Sequence, residues 1–251
     1  MDDILNLELL MLQKKTKEEP NNPMYWVDYG DFLLEKLELY QDAISAFEKA
    51  SELLPNSDLR LRIGEALFLD NRGKEAIEIL KQSVTANPRE EAYTILANCF
   101  ISTENYKNAR EALEKALTLN ENYEEALYLL GEIEEDPLKA ISNFKKAITI
   151  DTDYQLAWGS LGRVYLKQKK FDQAIEALKT AIELDENDIW ATVYLANTYW
   201  NIGEIKKAEL FYSKALLLDP NSEEIKVWYL EFLESTGKSE KAKAIGLIGK
   251  N

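Results

Sequence analysis

The chain has 251 residues, and its 45 Asp and Glu residues outnumber its 30 Lys and Arg residues, which gives a formal charge of −15 at pH 7. It contains no histidine, which excludes Ser-His-Asp and Cys-His catalysis and every metal site with a histidine ligand. The excess of negative charge disfavours nucleic-acid binding, which requires clustered Lys and Arg residues to neutralise phosphates. A basic or neutral partner is favoured instead.

The N-terminal segment is predicted to form a single helix over residues 4–18, followed by a proline at position 20. Its apolar residues crowd positions 4–12 and cover more than one stripe of a helix. The rest of the chain is a repeat array, and the terminal elements of such an array close its core. We therefore interpret residues 1–22 as an N-terminal capping helix. Since a cap should be polar on its outer side, formation of a homo-oligomer through residues 4–12 is the alternative interpretation.

Several features bear on the compartment. No window of the sequence approaches the run of about 18 apolar residues that a membrane-spanning helix needs. The segment Met1-Asp2-Asp3 lacks the basic residues that open a secretory signal peptide. Cys99 is the single cysteine, so an intrachain disulfide is impossible and an oxidising compartment is not implied. We therefore expect a cytoplasmic protein with no membrane segment.

From residue 23 onward, an alanine recurs at a nearly constant interval. It stands at Ala43, Ala76, Ala109, Ala140, Ala174, Ala208 and Ala242, with gaps of 33, 33, 31, 34, 34 and 34 residues. Four residues beyond each of the first six stands a bulky residue such as Phe47, and seven residues beyond stands a small one such as Ala50. These spacings place all three residues on one face of a helix, named helix B here.

A second helix, named helix A, is predicted before each helix B. Its clearest apolar stripe consists of Trp158, Leu161, Gly162 and Tyr165, with the spacing i, i+3, i+4, i+7 of a helix face. Together with Ala174, Leu178 and Ala181 in the following helix B, this pattern resembles the tetratricopeptide repeat, which has a 34-residue period. The resemblance covers essentially the whole chain.

The resemblance implies an all-α fold, a right-handed α-solenoid or superhelix of antiparallel helix pairs whose concave side is lined by the A helices. The six predicted repeats span residues 23–56, 57–89, 90–123, 124–154, 155–188 and 189–222. Residues 223–251 are predicted to form a degenerate C-terminal helix pair that acts as a cap. Gly246 and Gly249 stand there where helix B should have a bulky and a small residue.

The fourth repeat is three residues short. Only nine residues separate Gly131 from Ala140, where twelve are usual. We expect Asp136 to cap helix B and Pro137 to open it, so helix A must lose nearly a turn. The deletion is interpreted either as a tolerated change at a surface turn or as a bend that divides the groove.

In the sixth repeat, the face of helix A opposite its core stripe is predicted to line a partner-binding groove. The residues on this face are Trp190, Val193, Tyr194, Asn197, Trp200 and Asn201. Aromatic side chains bring large contact area at low entropic cost, and an Asn can pair with the backbone of an extended peptide. The alternative is structural, with Trp200 packed against the last helix pair and Trp190 on the preceding helix B.

Equivalent positions elsewhere are mostly acidic and are predicted to form the rim of the groove. The acidic set comprises Asp31, Glu35, Glu65, Glu91, Glu125 and Glu132. Arg163 and Lys167 in the fifth repeat are basic, and Asn98 in the third corresponds to Asn197. One interpretation is an ordinary solvated helix face. The other is a groove whose acidic half attracts a basic segment.

No cofactor-binding, metal-binding or catalytic motif is recognised, so we expect no cofactor and no enzymatic activity. Cys99 stands beside the core-facing Phe100 and is predicted to be a buried apolar residue. The sequence predicts a scaffold or adaptor that binds an extended peptide or helix of another protein, with neither nucleic acid nor a membrane as partner. The alternative is a structural protein that assembles with itself through its N-terminal helix or its solenoid ends.

Overall fold

The computed structural model describes residues 2–55 and 58–246, and these contain 15 helices and no strand. The helices are α1 (Asp2–Glu18), α2 (Pro23–Lys36), α3 (Tyr40–Leu53), α4 (Arg60–Leu69), α5 (Gly73–Ala86), α6 (Glu90–Ser102), α7 (Tyr106–Leu119), α8 (Glu124–Glu132), α9 (Pro137–Ile150), α10 (Gln155–Lys167), α11 (Phe171–Leu184), α12 (Ile189–Asn201), α13 (Ile205–Leu218), α14 (Glu223–Ser235) and α15 (Ser239–Gly246). From α2 onward, even-numbered helices are A helices and odd-numbered helices are B helices. The predicted fold class, an all-α solenoid of helix pairs, is confirmed.

The chain divides into two compact units, Met1–Ala126 and Leu127–Asn251. Within each unit, A helices pack against the B helices that follow them, as α2 does on α3 and α10 on α11, and consecutive pairs stack. The recurring alanines of the B helices, such as Ala43 and Ala174, are fully buried at these contacts. Small residues at these positions let neighbouring helices approach closely.

In four of the helix pairs, the A helix approaches its B helix at a point where a glycine faces a bulky side chain. A Cβ atom placed on Gly30 would lie 2.6 Å from Cε1 of Phe47, and one on Gly131 would lie 2.5 Å from Cε1 of Phe144. No side chain fits at such a distance, so the glycine allows the ring to lie directly against the backbone of helix A. Phe47 and Phe144 are both fully buried.

The turn from helix A to helix B contains one residue in the left-handed region in every described pair except α8 and α9. These residues are Glu38, Asn71, Glu104, Lys169, Gly203 and Gly237. A left-handed residue ends a helix by letting the chain reverse while the last carbonyl groups stay hydrogen-bonded. The three-residue deletion in the fourth repeat has removed this turn.

Helix α9 begins as predicted after the deletion. Asp136 caps it, because Oδ1 of its side chain accepts a hydrogen bond of 2.9 Å from the backbone N–H of Leu138, and Pro137 occupies the first turn. Helix α8 has only nine residues, which confirms the predicted loss of nearly a turn.

The N-terminal helix α1 has one face packed on α2 and another exposed. Leu12 and Thr16 are buried, whereas Ile4, Leu7 and Leu10 are exposed. At the other end of the chain, α15 reaches Gly246, and the predicted register residue Gly249 lies outside the described residues.

Candidate partner-binding face

Three aromatic rings meet on the exposed side of α12 and α14. The ring centroid of Trp190 lies 6.3 Å from that of Tyr194 and 6.0 Å from that of Trp228, and the last two are 6.3 Å apart. Trp190 is 44% exposed, and Tyr194 and Trp228 are half-buried. We name Trp190, Tyr194 and Trp228 the aromatic triad. It presents an apolar surface that the chain's own described residues leave partly uncovered.

Sequence reasoning missed Trp228, although a signal was present. Trp228 stands 34 residues after Tyr194, one repeat period, and therefore occupies the same register position on its A helix. Interpreting the last helix pair as a degenerate cap obscures this relation. Applying the register to every position of that pair would have placed Trp228 beside Tyr194.

Val193 is a correction to the predicted groove, since its side chain is fully buried. Leu61 and Thr94, at the equivalent positions of α4 and α6, are buried as well. Successive A helices lie side by side, as α10 and α12 do, so this register position faces the neighbouring A helix. The side chain of Val193 is therefore part of the packing between helices and cannot contact a partner.

The polar groove residues of α12 are engaged within the chain. Oδ1 of Asn197 accepts a hydrogen bond from the hydroxyl of Tyr212, and Nδ2 of Asn201 donates one of 2.8 Å to the carbonyl of Asn197. Trp200 packs edge-on against Phe232 in α14, with 5.7 Å between the ring centroids. Trp200 therefore packs against the last helix pair, as the structural alternative predicts, whereas Trp190 belongs to the exposed triad.

A cleft of about 220 Å³ adjoins the triad and lies between α8, α10 and α12. Its lining includes Tyr128, Leu156, Arg163, Trp190 and Tyr194. Asp188 forms one wall and caps α12, because its Oδ1 accepts a hydrogen bond of 2.8 Å from the backbone N–H of Ala191. The cap fixes the start of the helix that carries Trp190.

Two residues predicted to carry opposite charges in the groove form an ion pair. Nη2 of Arg163 donates to Oε1 of Glu132 at 2.8 Å, and both side chains are partly exposed. Arg163 therefore presents less free positive charge than its register position suggests. Lys167, one turn further along α10, is exposed.

A second cleft, of about 570 Å³, lies in the unit Met1–Ala126 and contains most of the predicted acidic rim. Asp31, Glu65, Glu91 and Glu125 line it, and Glu35 and the half-buried Asn98 are on α2 and α6. The rim is not purely acidic, because Arg62 lies among three carboxylates. Its guanidinium is 3.4 Å from Oδ1 of Asp31, 3.1 Å from Oε2 of Glu65 and 3.8 Å from Oε1 of Glu35.

The carboxylate of Glu125 is repelled by other negative charges in and beside this cleft. Burial raises the pKa of Glu125 above its usual value, and the negative charges of Glu124, Glu91 and Glu65 raise it further, while a 3.0 Å hydrogen bond from the Tyr123 hydroxyl opposes the shift. Burial also raises the pKa of Asp31, although the positive charge of Arg62 acts to lower it. The cleft therefore favours a positive charge, which would relieve the repulsion at Glu125.

Neutralising Glu125 is expected to stabilise the protein near pH 7. Because the pKa of Glu125 is higher in the folded than in the unfolded chain, the folded chain binds more protons between the two values, and stability from this group falls as the pH rises through that window. Glu125→Gln should raise the urea midpoint at about pH 7, and the gain should shrink as the pH approaches about 4. Urea unfolding followed by circular dichroism at both pH values measures this.

The control is Glu111→Gln, which removes the same charge from an exposed position on α7. It should leave the midpoint nearly unchanged at both pH values. A lower midpoint for Glu125→Gln than for the unmodified protein at pH 7 would contradict the described electrostatics.

Cys99 is fully buried, as predicted, and burial raises its pKa to about 12. A thiol with so high a pKa is not a nucleophile at neutral pH. Among the described residues, no group of three or more Cys, Asp or Glu side chains is arranged to hold a metal ion. In the same part of the chain, no helix combines the length and the apolar character that crossing a bilayer requires.

Comparison with known proteins identifies the family. A family model described as tetratricopeptide repeat matches residues 133–188 and 166–226. A second model, described as subunit 3 of the anaphase-promoting complex or cyclosome, matches residues 36–116. Residues 133–226 therefore belong to the tetratricopeptide repeat (TPR) family. They include α12, the A helix that carries Trp190 and Tyr194 of the aromatic triad.

Two curated relatives and one solved structure show the range of similar TPR proteins. Anaphase-promoting complex subunit 3 of Schizosaccharomyces pombe is 28% identical over 210 residues, which cover 82% of this chain and 31% of the relative. A TPR repeat-containing protein of Methanocaldococcus jannaschii is 25% identical over 252 residues, covering 90% and 44%. The crystal structure of the APC/C hetero-tetramer Cut9-Hcn1 contains a chain with the same fold, with a TM-score of 0.81 at 20% identity, covering 91% of this chain and 46% of that one.

The TPR chain thus spans less than half the length of these curated relatives. TPR folds of this kind are protein-interaction scaffolds, and this is the general function that the family supports.

Proposed function

We propose that the chain is a non-enzymatic cytoplasmic adaptor that holds an extended segment of a partner protein against the aromatic triad. The observation that carries the proposal is the partly exposed cluster of Trp190, Tyr194 and Trp228 on adjacent A helices. Tryptophan and tyrosine dominate the binding energy of protein interfaces, because they bury large areas with few rotatable bonds.

The surroundings of the triad suit a peptide more than a small molecule. Leu156 and Val227, on the helices to either side, are exposed and extend the apolar surface across three A helices. The cleft beside Trp190 holds only about 220 Å³, smaller than ordinary small-molecule pockets of about 300–1,000 Å³. An extended segment would place one apolar side chain on the triad and another towards Leu156.

The charge of the chain supports a basic or neutral partner. The formal charge is −15, Arg163 is paired with Glu132, and the acidic cleft of the other unit retains the mutually repelling Glu91 and Glu125. Such a field raises the association rate of a basic segment and lowers that of nucleic acid. The similarity to a subunit of the anaphase-promoting complex supports assembly with other proteins. The division of the chain into six repeats and two caps stays a prediction.

Site-directed photo-crosslinking tests the proposal. A photo-reactive benzoyl-phenylalanine replaces Leu156 beside the triad in one variant, and replaces Leu210 on the B helix α13 in the control. Both leucines are exposed, so neither replacement should disturb the fold. We expect one defined set of proteins to crosslink from position 156 and to be absent from position 210. Equal crosslinking from both positions, or none from position 156, would overturn the proposal.

A second candidate function is self-assembly through the N-terminal helix. The observation in its favour is the exposed apolar face of α1, where Ile4, Leu7 and Leu10 are each at least 60% exposed. A cap that served only to close the core would carry polar residues there.

A further inference from the structure

We propose that α1 pairs with α1 of a second copy of the chain, antiparallel and around a two-fold axis. The proposal rests on the second candidate function and gives it a definite geometry. It begins from the two faces of α1. Leu12 and Thr16 are buried against α2, while Ile4, Leu7 and Leu10 lie away from it and are exposed.

The order of residues along the helical stripe that contains Leu7 and Leu10 is self-complementary. The sequence places Asp3 four residues before Leu7, Leu10 three residues after Leu7, and Lys14 four residues after Leu10. Spacings of four, three and four residues follow one stripe of a helix, the same spacing as a coiled-coil seam. From position 3 to position 14, the residues of this stripe are therefore acidic, apolar, apolar and basic in that order.

An antiparallel pair of these helices brings opposite charges together, whereas a parallel pair brings like charges together. When two such helices run in opposite directions, position 7 of one comes opposite position 10 of the other, and position 3 comes opposite position 14, twice over by symmetry. A parallel pair would set aspartate against aspartate and lysine against lysine, and like charges at such distances repel. The two helix dipoles also oppose each other favourably in the antiparallel arrangement.

The contacts of Lys14 within its own chain leave it available for such a pair. Its Nζ lies 3.6 Å from Oε1 of Glu18, and the two side chains are 71% and 63% exposed. An ion pair so exposed is weak and exchanges readily for another. Flanking residues add to the contact, because the exposed Ile4 and Met11 lie beside the stripe and would cover the partner helix.

A second copy fits this face better than other occupants. A membrane surface would attract a helix with basic residues along its whole polar face, whereas the lysines of α1 are confined to its C-terminal part. Its acidic residues, Asp2, Asp3, Glu8 and Glu18, outnumber them, and the whole chain carries −15. A different protein would not be selected by a charge order that complements itself. Both occupants are distinguishable outcomes of the test below.

Sedimentation of the full chain tests the pairing with two kinds of variant. Leu7→Lys with Leu10→Lys should weaken dimerisation at least about tenfold, because it buries charge in the apolar centre of the seam. Leu210→Lys with Leu217→Lys, a matched change of two exposed leucines on α13, should not change it. Circular dichroism confirms that each variant is folded.

Charge-swap variants at positions 3 and 14 test the antiparallel pairing more sharply. Asp3→Lys alone and Lys14→Asp alone should each weaken the dimer, because like charges then come opposite each other. An equimolar mixture of the two should recover most of the dimer, since every lysine of the seam in the mixed pair is then opposite an aspartate. The variant that carries both substitutions should dimerise on its own.

The outcomes separate the hypotheses. A monomer at high concentration for the unmodified chain would overturn self-assembly and this geometry together, while leaving the crosslinks from position 156 unaffected. A dimer that survives Leu7→Lys with Leu10→Lys, or a mixture that fails to recover, would overturn the α1 pairing alone. Binding of α1 to anionic vesicles in place of dimerisation would identify a membrane as the occupant and overturn the proposal.

Discussion

Replacing Phe144 by Ala is expected to lower the free energy of unfolding by about 3–5 kcal/mol, the cost of removing a buried phenylalanine ring. Phe144 is fully buried in α9, and its ring lies directly against the backbone of Gly131 in α8. Tyr128 flanks it with 6.1 Å between ring centroids. Helix α8 has only nine residues and is the shortest of the A helices.

Urea unfolding followed by circular dichroism measures this cost, with Leu138→Ala as the matched control. Leu138 lies on the same helix but is 67% exposed, so its replacement should change stability by less than about 0.5 kcal/mol. A cost below about 1 kcal/mol for Phe144→Ala would show that the contact between Gly131 and Phe144 does not hold α8 on α9.

The helix pairs and their core could be predicted from sequence because repetition turns one weak pattern into many consistent ones. Ala43, Ala76 and Ala109 each occupy the same place on a B helix, and all are fully buried. The start of α9 was predictable for a local reason, since an Asp followed by a Pro specifies a helix N-terminus without help from the rest of the fold.

The outward face of the A helices was harder to predict, because its residues meet neighbours from other repeats. A single helix predicts that Val193 points outward, yet the adjacent A helix buries it. The ion pair between Arg163 and Glu132 joins residues 31 positions apart, and so does the pair between Arg62 and Asp31. Neither is visible until the offset between adjacent A helices is known.

The aromatic triad could be predicted only in part, because two of its residues share one helix and the third lies on a neighbouring helix. Trp190 and Tyr194 share one helix, and their exposure followed from its register. Trp228 joins them only because α14 packs beside α12, and the same packing turns Trp200 towards Phe232. Two tryptophans on one helix, Trp190 and Trp200, therefore serve different purposes.

Replacing Trp228 by Ala is expected to weaken binding of the partner segment by at least about 30-fold, because a buried aromatic anchor at an interface contributes about 2 kcal/mol or more. The side chain of Trp228 contacts Trp190 and Tyr194, so its loss also leaves both remaining rings less well supported. Trp190→Ala should have a similar effect. The secondary structure should be unchanged in both variants, because Trp190 is partly exposed and Trp228 half-buried.

Trp200→Ala is the matched control, since it removes an equally large ring from the same helix as Trp190. Its ring packs on Phe232 within the chain, so its loss should lower the unfolding midpoint. The dissociation constant of the partner segment should stay within about threefold of its original value, because Trp200 is not part of the triad.

Isothermal titration calorimetry with the segment that crosslinks from position 156 decides between these expectations. Binding that is lost in Trp190→Ala and Trp228→Ala but kept in Trp200→Ala would establish the aromatic triad as the partner-binding surface. Unchanged affinity in the first two variants, or equal loss in all three, would contradict it.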